Sequence, residues 1–474
     1  IIAIAHKKKL KIFINTDLFF WNSIIKQHTH GKLAHLTRFF SECLSNMYTT
    51  FPQISGIIVR FGECDWQDVR GDFASRLFIK TPSQLNQLLK SLLPYHEENN
   101  KYLICRTWSL GAYSIGDILW NPATIKKAFS GITSDSFIAS IKYGGADFFR
   151  YLQLNKTLLA GDYLKMVELQ TRREYEGFGA FPASVLNDYA HYCKQLRKRK
   201  DVVGYHIWCQ TGGLSATVRR TFLDKDAVWN DINTYCTLRI CKEHYTVEQS
   251  VQDYHRTHAL PGTANDLLDL LNHSEYAIKH MLYTNELAHK TLYFRRLRIP
   301  PLFWVYWDRI IINSITYMLM ISYVKNRNAL VQSGKKSLQA VDQMIPLAKK
   351  LSLPYKDILF MYDTFAILAH ARELLVSKPR EKDIADLKDM IMVYNHRYEH
   401  GYQISIEPFG GSFFRLFLRV LYPVILRKKQ EYRLVDRLLL NRLSWLIFVT
   451  LVLFKHTLPA TLRKKTVPIS TFFR

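Results

Sequence analysis

The sequence predicts a TIM-type (β/α)8 barrel, lacking its first strand in this chain, followed by an all-α C-terminal domain. Three observations support this fold class. Residues 1–245 alternate short apolar, β-branched runs with longer segments of helical spacing, which is typical of parallel strands joined by crossover helices. The apolar runs end in polar residues, and after residue 245 long helical periods replace this pattern.

Six apolar runs are the predicted barrel strands. They cover residues 11–17, 56–63, 102–108, 137–143, 163–170 and 202–209. A further, weaker strand is predicted between Trp229 and Ile240, and helices are predicted over 83–95 and 184–200. No glycine-rich phosphate-binding turn follows the first strand, so the barrel is preferred to a doubly wound sheet.

The second predicted domain, residues 246–474, is a series of helical periods punctuated by prolines. These periods cover 264–290, 307–327, 357–377 and 381–400. Near the C-terminus, the uncharged run Leu443–Phe454 has twelve residues, whereas a bilayer-spanning helix needs about 20. We predict a core helix here, with an interfacial helix lying on anionic lipid as the alternative.

The chain is strongly basic, with a net charge of +25 at pH 7. Residues 401–474 contribute thirteen Lys and Arg against three acidic residues. Such an excess favours nucleic acid, anionic membrane or acidic substrates as partners. No zinc-finger spacing, basic zipper or aromatic motif for stacking bases accompanies the charge, so nucleic acid is not a predicted partner. Peripheral contact of the basic C-terminus with anionic membrane is retained as an expectation.

The seven cysteines are odd in number and show no CxxC spacing. They are predicted to be buried free thiols in a reducing compartment, which indicates a cytoplasmic protein. The start of the sequence resembles neither an initiator region nor a signal peptide, so the natural N-terminus is expected to be missing. We predict no cofactor and no metal site, because His28 and His30 lack further residues at ligand spacing.

Polar residues follow the predicted strands, and in a barrel these strand ends converge on one mouth. They are Asp17, Glu63, Arg106, Asp147, Glu168 and Gln210. Among them, Glu63 follows an apolar strand and a glycine, and the alternative to a chemical role is a helix cap or an ion pair with Arg70. Asp147 follows a Gly-Gly turn among aromatic residues, which can raise a carboxyl pKa towards acid or base use. Its alternative role is a helix N-cap.

The segment 166–177 is the most informative in the chain. Glu168 and Gln170 share one strand face by the period of two, so a carboxylate and an amide point together into the predicted barrel mouth. Without a ligand or a partner, such a pair would cost stability. The alternative is an ion pair of Glu168 with a nearby basic residue, such as Lys142 or Arg172.

The order Glu168-Leu169-Gln170 and then Glu174-Tyr175-Glu176-Gly177 resembles a motif of glycoside hydrolase family 67, the α-glucuronidases. The resemblance implies that Glu168 is a partner in the catalytic base. Lys142, the Gly-Gly turn and Asp147 resemble the preceding strand of that family, which implies that Asp147 shares the base function.

The same resemblance makes Glu63 the general acid and assigns Arg60 and Arg106 to the carboxylate of a uronic sugar. The predicted substrate contacts are Asp17, Arg60, Arg106, Trp108, Lys142, Gln170, Glu174 and Tyr175. Residues 232–254 also resemble the last strand and helix of the family's barrel.

The function that the resemblance implies is an inverting glycoside hydrolase, acting on a terminal sugar, with a uronic or other acidic sugar as one option. Glu63 would protonate the leaving oxygen, while Asp147 and Glu168 activate water on the opposite face. The alternative is a non-catalytic, barrel-derived carbohydrate-binding or scaffold protein that associates with anionic membrane through its basic C-terminus. The sequence leaves the sugar, the linkage and the oligomeric state open.

Overall fold

The computed structural model describes residues 1–17, 20–61, 74–75, 78–107, 113–177, 179–209, 227–294, 297–299, 309–312, 324–377, 380–399, 402–406, 426–427 and 434. At its centre lies a six-stranded parallel sheet. Its strands are β1 (Ile12–Asp17), β3 (Ile54–Arg60), β5 (Tyr102–Arg106), β6 (Phe137–Lys142), β7 (Leu164–Gln170) and β8 (Val202–Trp208). The short strands β2 (Phe20–Trp21) and β4 (Ala74–Ser75) form a separate antiparallel pair.

The six strands lie side by side in the order in which they occur in the chain, and every neighbouring pair is parallel. In a doubly wound sheet the order reverses at a switch point, and no reversal occurs among the six described strands. The described residues therefore form a mixed α/β structure with the strand succession of a barrel. They provide six strands of this succession, whereas seven were predicted for a barrel lacking its first strand in this chain.

Helices cover most of the remaining described chain. They are α1 (Ile2–Lys7), α2 (Ser23–Thr29), α3 (Leu33–Thr50), α4 (Pro82–Glu98), α5 (Pro122–Ala128), α6 (Leu186–Leu196), α7 (Val228–Lys242), α8 (Val247–Thr257), α9 (Ala264–Met281), α10 (Asn285–Ala288), α11 (Arg327–Lys350), α12 (Lys356–Val376) and α13 (Glu381–Arg397). Helix α4 begins at a capping box, in which Thr81 Oγ1 accepts from Gln84 N at 3.2 Å and Gln84 Oε1 accepts from Thr81 N at 3.1 Å. Helices α3 to α6 occupy the connections between sheet strands, as the alternating sequence pattern predicted.

The two faces of the sheet differ in chemistry because side chains alternate along each strand. One face carries apolar side chains that are 0% exposed and belong to the core shared with the helices, namely Val59, Cys105, Ala139, Val167 and Leu169. By register, the other face carries Arg60, Arg106, Ser140, Lys142, Glu168, Gln170, His206 and Trp208. We call this second surface the polar face.

The region predicted as a further strand, Trp229 to Ile240, is helical and lies within α7. Its buried residues Trp229, Ile232, Cys236 and Ile240 recur every three or four positions, which is the helical period. The strand prediction was wrong because it followed the β-branched and aromatic content of this segment and not its spacing. The same helix contradicts the resemblance of residues 232–254 to the last strand of the family's barrel.

The C-terminal half is not all-α. Strands β9 (Thr291–Phe294), β10 (Leu297–Ile299) and β13 (Leu426–Arg427) form an antiparallel sheet, and β11 (Arg309–Ile312) pairs in parallel with β12 (Gln403–Ile406). The helix predicted over 307–327 is therefore wrong at β11. The helices predicted over 264–290, 357–377 and 381–400 are confirmed in α9, α12 and α13, although α9 itself ends at Met281.

Packing is continuous across residue 245, where the sequence predicted a domain boundary. The indole Nε1 of Trp229 donates to Asp357 Oδ2 at 3.1 Å, and the ring of Phe181 meets that of Phe365 with 5.5 Å between centroids. Both sides of the boundary contribute to one hydrophobic core. The division into 1–245 and 246–474 stays a prediction.

Cys193 of α6 and Cys241 of α7 form a disulfide, with 5.3 Å between their Cα atoms. The expectation of free thiols is therefore wrong for these two residues. The cysteines described as free are Cys43, Cys105, Cys209 and Cys236.

Within the described ranges, no helix combines the length and the apolar character needed to cross a bilayer. The run Leu443–Phe454 lies outside these ranges, so both interpretations of it stay predictions.

Candidate functional site

The charged side chains of the polar face gather at the carboxyl ends of the strands. Arg106 lies in register with Ser140, and Glu168 lies between Lys142 and His206 on the flanking strands. These five residues come from β5, β6, β7 and β8, which are consecutive in the sheet. Parallel strands place their carboxyl ends at one edge, and this is the edge at which barrel enzymes carry their chemistry.

Glu168 is fully buried and has hydrogen-bond partners at both carboxylate oxygens. Arg106 donates from Nε to Oε1 at 3.1 Å and from Nη2 to Oε2 at 3.3 Å, and Ser140 Oγ donates to Oε1 at 2.7 Å. Burial acts to raise the pKa of Glu168, but Arg106, His206 and Lys142 together lower this pKa to about 2. Glu168 is therefore ionised at neutral pH.

The alternative drawn from the sequence, an ion pair of Glu168 with a nearby basic residue, is thus confirmed, and this partner is Arg106. Two parallel N–H···O bonds from one guanidinium fix the orientation of both groups. Since both oxygens are occupied, the role of Glu168 as a water-activating base stays a prediction.

The Arg106 guanidinium lies over the indole of Trp208, with 4.2 Å from its Cζ to the ring centroid. The ring of His206 stacks on the same indole at 4.8 Å between centroids and 28° between planes. His206 Nδ1 lies 3.2 Å from Ser140 Oγ. Arg106, Ser140, Glu168, His206 and Trp208 therefore form one connected cluster.

Asp147 follows β6 and accepts hydrogen bonds at both oxygens. Lys142 Nζ and the backbone N of Phe148 donate to Oδ1, the latter at 3.0 Å, and the Tyr175 hydroxyl donates to Oδ2 at 2.6 Å. The Lys142 ammonium lies 4.4 Å from the centroid of the Phe148 ring, and Tyr175 stacks on Phe149 at 4.2 Å. The predicted aromatic surroundings are confirmed, whereas the alternative of a helix N-cap is not, because no helix begins at Asp147.

Lys142 links the two carboxylates. It bonds Asp147 directly, and its charge is among those that lower the pKa of Glu168. The Asp147 side chain is 13% exposed, while that of Glu168 is 1% exposed. Of the two, Asp147 is the more accessible to a ligand.

Gln170 is buried and bonds the turn that follows β7. Its Nε2 donates to Glu174 Oε2 at 2.9 Å, and its Oε1 accepts from the backbone N of Glu174 at 3.0 Å. This pairing satisfies the amide without a ligand. The predicted substrate contacts of Gln170 and Glu174 therefore stay predictions.

Asp17 and Arg60 lie at the same edge of the sheet, at the carboxyl ends of β1 and β3, which precede β5 in the strand order. Their strands place Asp17 in register with Arg60, and Arg60 in register with Arg106. The predicted acid Glu63, the predicted substrate contact Trp108 and the strand-end residue Gln210 lie outside the described residues.

Ser140, His206 and Trp208 were not among the predicted site residues. The signal that could have found them is the period of two, because His206 and Trp208 alternate with Tyr205 and Ile207 along one apolar run. The prediction from the sequence considered only Gln210, the residue after the predicted strand.

No group of three His, Cys, Asp or Glu side chains is placed to hold a metal ion among the described residues. A cleft of about 570 Å³ is lined by residues of α8 and its surroundings, among them Gln249, Asp253 and Arg256. It does not include the residues of the polar face. We therefore place the candidate site at the strand ends, where the buried carboxylates are.

No family model and no curated protein matches the sequence. Among solved structures, the chain is similar to a GH138 enzyme targeting pectin rhamnogalacturonan II, with 11% identity and a TM-score of 0.48. The match covers 83% of this chain and 50% of the other, so this chain spans about half the length of that protein. The likeness is too low to carry conclusions on fold or activity. The resemblance to glycoside hydrolase family 67 therefore stays a prediction.

Proposed function

We propose that this protein is a glycoside hydrolase whose site lies at the carboxyl ends of β6, β7 and β8. The observation that supports the proposal most is the proximity of two carboxylates, Asp147 in the segment after β6 and Glu168 on the neighbouring strand β7, which share Lys142 as a neighbour. Glycosidases use an acid and a base carboxyl group on either side of the scissile bond, and in this proposal these are Glu63 and Asp147, while Glu168 holds the neighbouring donors in place.

We assign the proton-accepting role to Asp147 and a supporting role to Glu168. Both carboxylates have donors at each oxygen, but Asp147 is the more exposed of the two, whereas Glu168 is buried and has a pKa of about 2. A carboxylate of such low basicity is a poor proton acceptor at neutral pH, but it holds Arg106 and Ser140 in fixed positions. Glu63 stays the proposed general acid.

The proposed substrate is a terminal sugar, cleaved with inversion. Arg106 and Lys142 are each paired with a carboxylate of the protein, and a uronic carboxylate would have to compete with Glu168 or Asp147 for them. Arg60, which lies in register with Arg106 on the polar face and also has an interaction partner, is retained as a proposed contact of an acidic sugar. Neutral and acidic sugars should therefore be tested side by side.

The experiment is a screen of the wild type against aryl glycosides and uronic-acid oligosaccharides, followed by the variant Asp147→Asn. The substitution keeps the size of the side chain and removes the charge that a base needs. On a substrate that the wild type cleaves, we expect kcat to fall by about 10²–10⁴.

A matched control is Asp201→Asn. Asp201 also pairs with a buried lysine, Lys165, but does so at the opposite end of the sheet, before β8. Its loss should lower stability and leave kcat unchanged. Near-normal turnover of Asp147→Asn, or an equal loss in both variants, would remove Asp147 from the mechanism. A wild type that binds sugars and cleaves none would favour the carbohydrate-binding alternative.

A further inference from the structure

Ser140 lies between Glu168 and His206, and the direction of its hydrogen bonds can be worked out. A hydroxyl has one proton to donate, and an ionised carboxylate can only accept. Glu168 is ionised, so the Ser140 proton points to its Oε1 at 2.7 Å. Ser140 Oγ must then accept from His206 Nδ1, which lies 3.2 Å away.

The proton on Nδ1 determines the state of the other ring nitrogen. Burial lowers the pKa of His206, Glu168 partly offsets this effect, and Arg106 adds to it. The ring is therefore neutral at neutral pH, and in a neutral imidazole with a proton on Nδ1 the Nε2 atom is a pure acceptor. Within the described part of the chain, Nε2 of His206 makes no hydrogen bond.

Trp208, stacked on His206, has a donor that needs an acceptor. Its indole Nε1 is a donor that is buried and has no partner within the described part of the chain. A buried donor without a partner destabilises the fold, and such an atom is commonly explained by a bound water, ion or ligand. An unused donor and an unused acceptor thus lie on two stacked rings at the end of β8.

We propose that Trp208 Nε1 and His206 Nε2 form a subsite for a hydroxyl group of a sugar. A hydroxyl is the group that suits this pair, because it accepts from the indole N–H and donates to the imidazole nitrogen. Ser140 and Glu168 are positioning residues that fix the imidazole tautomer. The chemical class of the ligand rests on the proposed glycoside hydrolase function, whereas the tautomer and the two unused atoms do not.

The test is NMR on the full chain labelled with ¹⁵N in histidine and tryptophan side chains. His206→Gln and Trp208→Phe assign the two signals by their loss, and the remaining spectrum reports whether each variant folds. In the wild type at pH 7 we expect the Nδ1–H tautomer of His206. Ser140→Ala should mix the tautomers, because it removes the acceptor of the Nδ1 proton.

The second step adds the probes D-glucose and D-glucuronate at millimolar concentrations, with sodium acetate as the control that lacks hydroxyl groups. At least one sugar should shift both the Trp208 Nε1 and the His206 Nε2 signals, and acetate should shift neither. A protonated Nε2 in the wild type would overturn the proposal. So would the correct tautomer with no response to either sugar, or an equal response to acetate.

The result of this test does not depend on whether the protein cleaves glycosides. If glycosides are cleaved and the two signals do not move, the hydrolase proposal stands and the subsite fails. If sugars move both signals and no glycoside is cleaved, the subsite stands in a protein that binds sugars without cleaving them.

Discussion

Glu168 stays charged although its side chain is almost completely shielded from solvent. Burial of a carboxylate disfavours ionisation, yet two donors of Arg106 and the hydroxyl of Ser140 reverse this effect. A group whose folded-state pKa lies below its ordinary value stabilises the fold when it is ionised. Protonation of Glu168 at low pH should therefore remove its contribution to the stability of the fold.

We expect Glu168 to contribute to the pH dependence of stability. Its pKa falls from the ordinary 4.5 to about 2 in the folded protein, which corresponds to about 3 kcal/mol. Because this pKa is depressed, the contribution is present above pH 4.5 and is lost as the pH falls from there towards 2. Thermal unfolding across this range measures it.

The comparison that isolates this residue is Glu168→Gln, which cannot titrate. At neutral pH the variant should be the less stable protein, because Arg106 keeps its charge in a buried position without a counter-ion. The difference in stability from the wild type should narrow below pH 4.5. A constant difference across the range would show that Glu168 has an ordinary pKa.

At the scale of elements, the strands were predictable because each combines a period of two with β-branched residues. The predicted 163–170 and 202–209 match β7 and β8 to within one residue at each end. The position of Glu168 opposite Lys142 and His206 was not predictable, because register between strands depends on packing across the whole sheet. The pairing of Arg106 with Glu168 spans 62 residues and follows from that register.

Elements beyond residue 226 were harder to predict for a related reason. Ile310 and Ile312 are 0% exposed in β11, but their strand exists only through its pairing with β12, almost a hundred residues later in the chain. A local pattern carries no information on such a partner. Helix α7 was missed although its buried residues have the helical period, because intrinsic strand preference was given more weight than spacing.

The disulfide between α6 and α7 should stabilise the protein. It closes a loop of 48 residues, for which the loss of chain entropy in the unfolded state corresponds to about 4 kcal/mol. We expect the double variant Cys193→Ser/Cys241→Ser to unfold at lower temperature than the wild type under non-reducing conditions. With reductant present during unfolding, the two proteins should converge.

Cys43→Ser is the control, because Cys43 is exposed and free, and its loss should leave the unfolding temperature unchanged. Alkylation followed by peptide mapping tests the bond itself. Labelling of Cys193 and Cys241 in the unreduced, unfolded protein would contradict the disulfide.

At the scale of the whole molecule, a buried ion cluster joins the segments that follow β6 and β7 to helix α6 and to the segment between α9 and α10. Glu176 is 0% exposed and accepts from Arg150 Nε at 2.9 Å, from Arg173 Nη2 at 3.0 Å and from the Tyr283 hydroxyl at 2.8 Å. Arg150 also donates to Asp188 at 2.8 Å. Burial acts to raise the pKa of Glu176, but the two guanidinium groups hold this pKa well below its usual range.

We expect Glu176→Gln to destabilise the whole chain by about 3–5 kcal/mol, because it leaves the buried Arg173 without its counter-ion and Arg150 with Asp188 alone. Tyr283→Phe removes one hydrogen bond to the same carboxylate and should cost about 1 kcal/mol. Denaturant unfolding measures both.

Since the core is continuous across residue 245, each variant should show one transition in which the strands and the helices unfold together. Separate transitions would indicate two independent domains, and similar costs for the two variants would show that the charge of Glu176 is unimportant.

The position of Trp208 also has an optical consequence. Its indole contacts the guanidinium of Arg106, with 4.2 Å from Cζ to the ring centroid. It also contacts the imidazole of His206, with 4.8 Å between the ring centroids. Indole emission is sensitive to a neighbouring imidazole, and a protonated ring quenches it more strongly than a neutral one. The difference in fluorescence between the wild type and Trp208→Phe isolates this indole from the other eight tryptophans. The protein thus carries an internal fluorophore at the candidate site, with which compound libraries can be screened before any substrate is known.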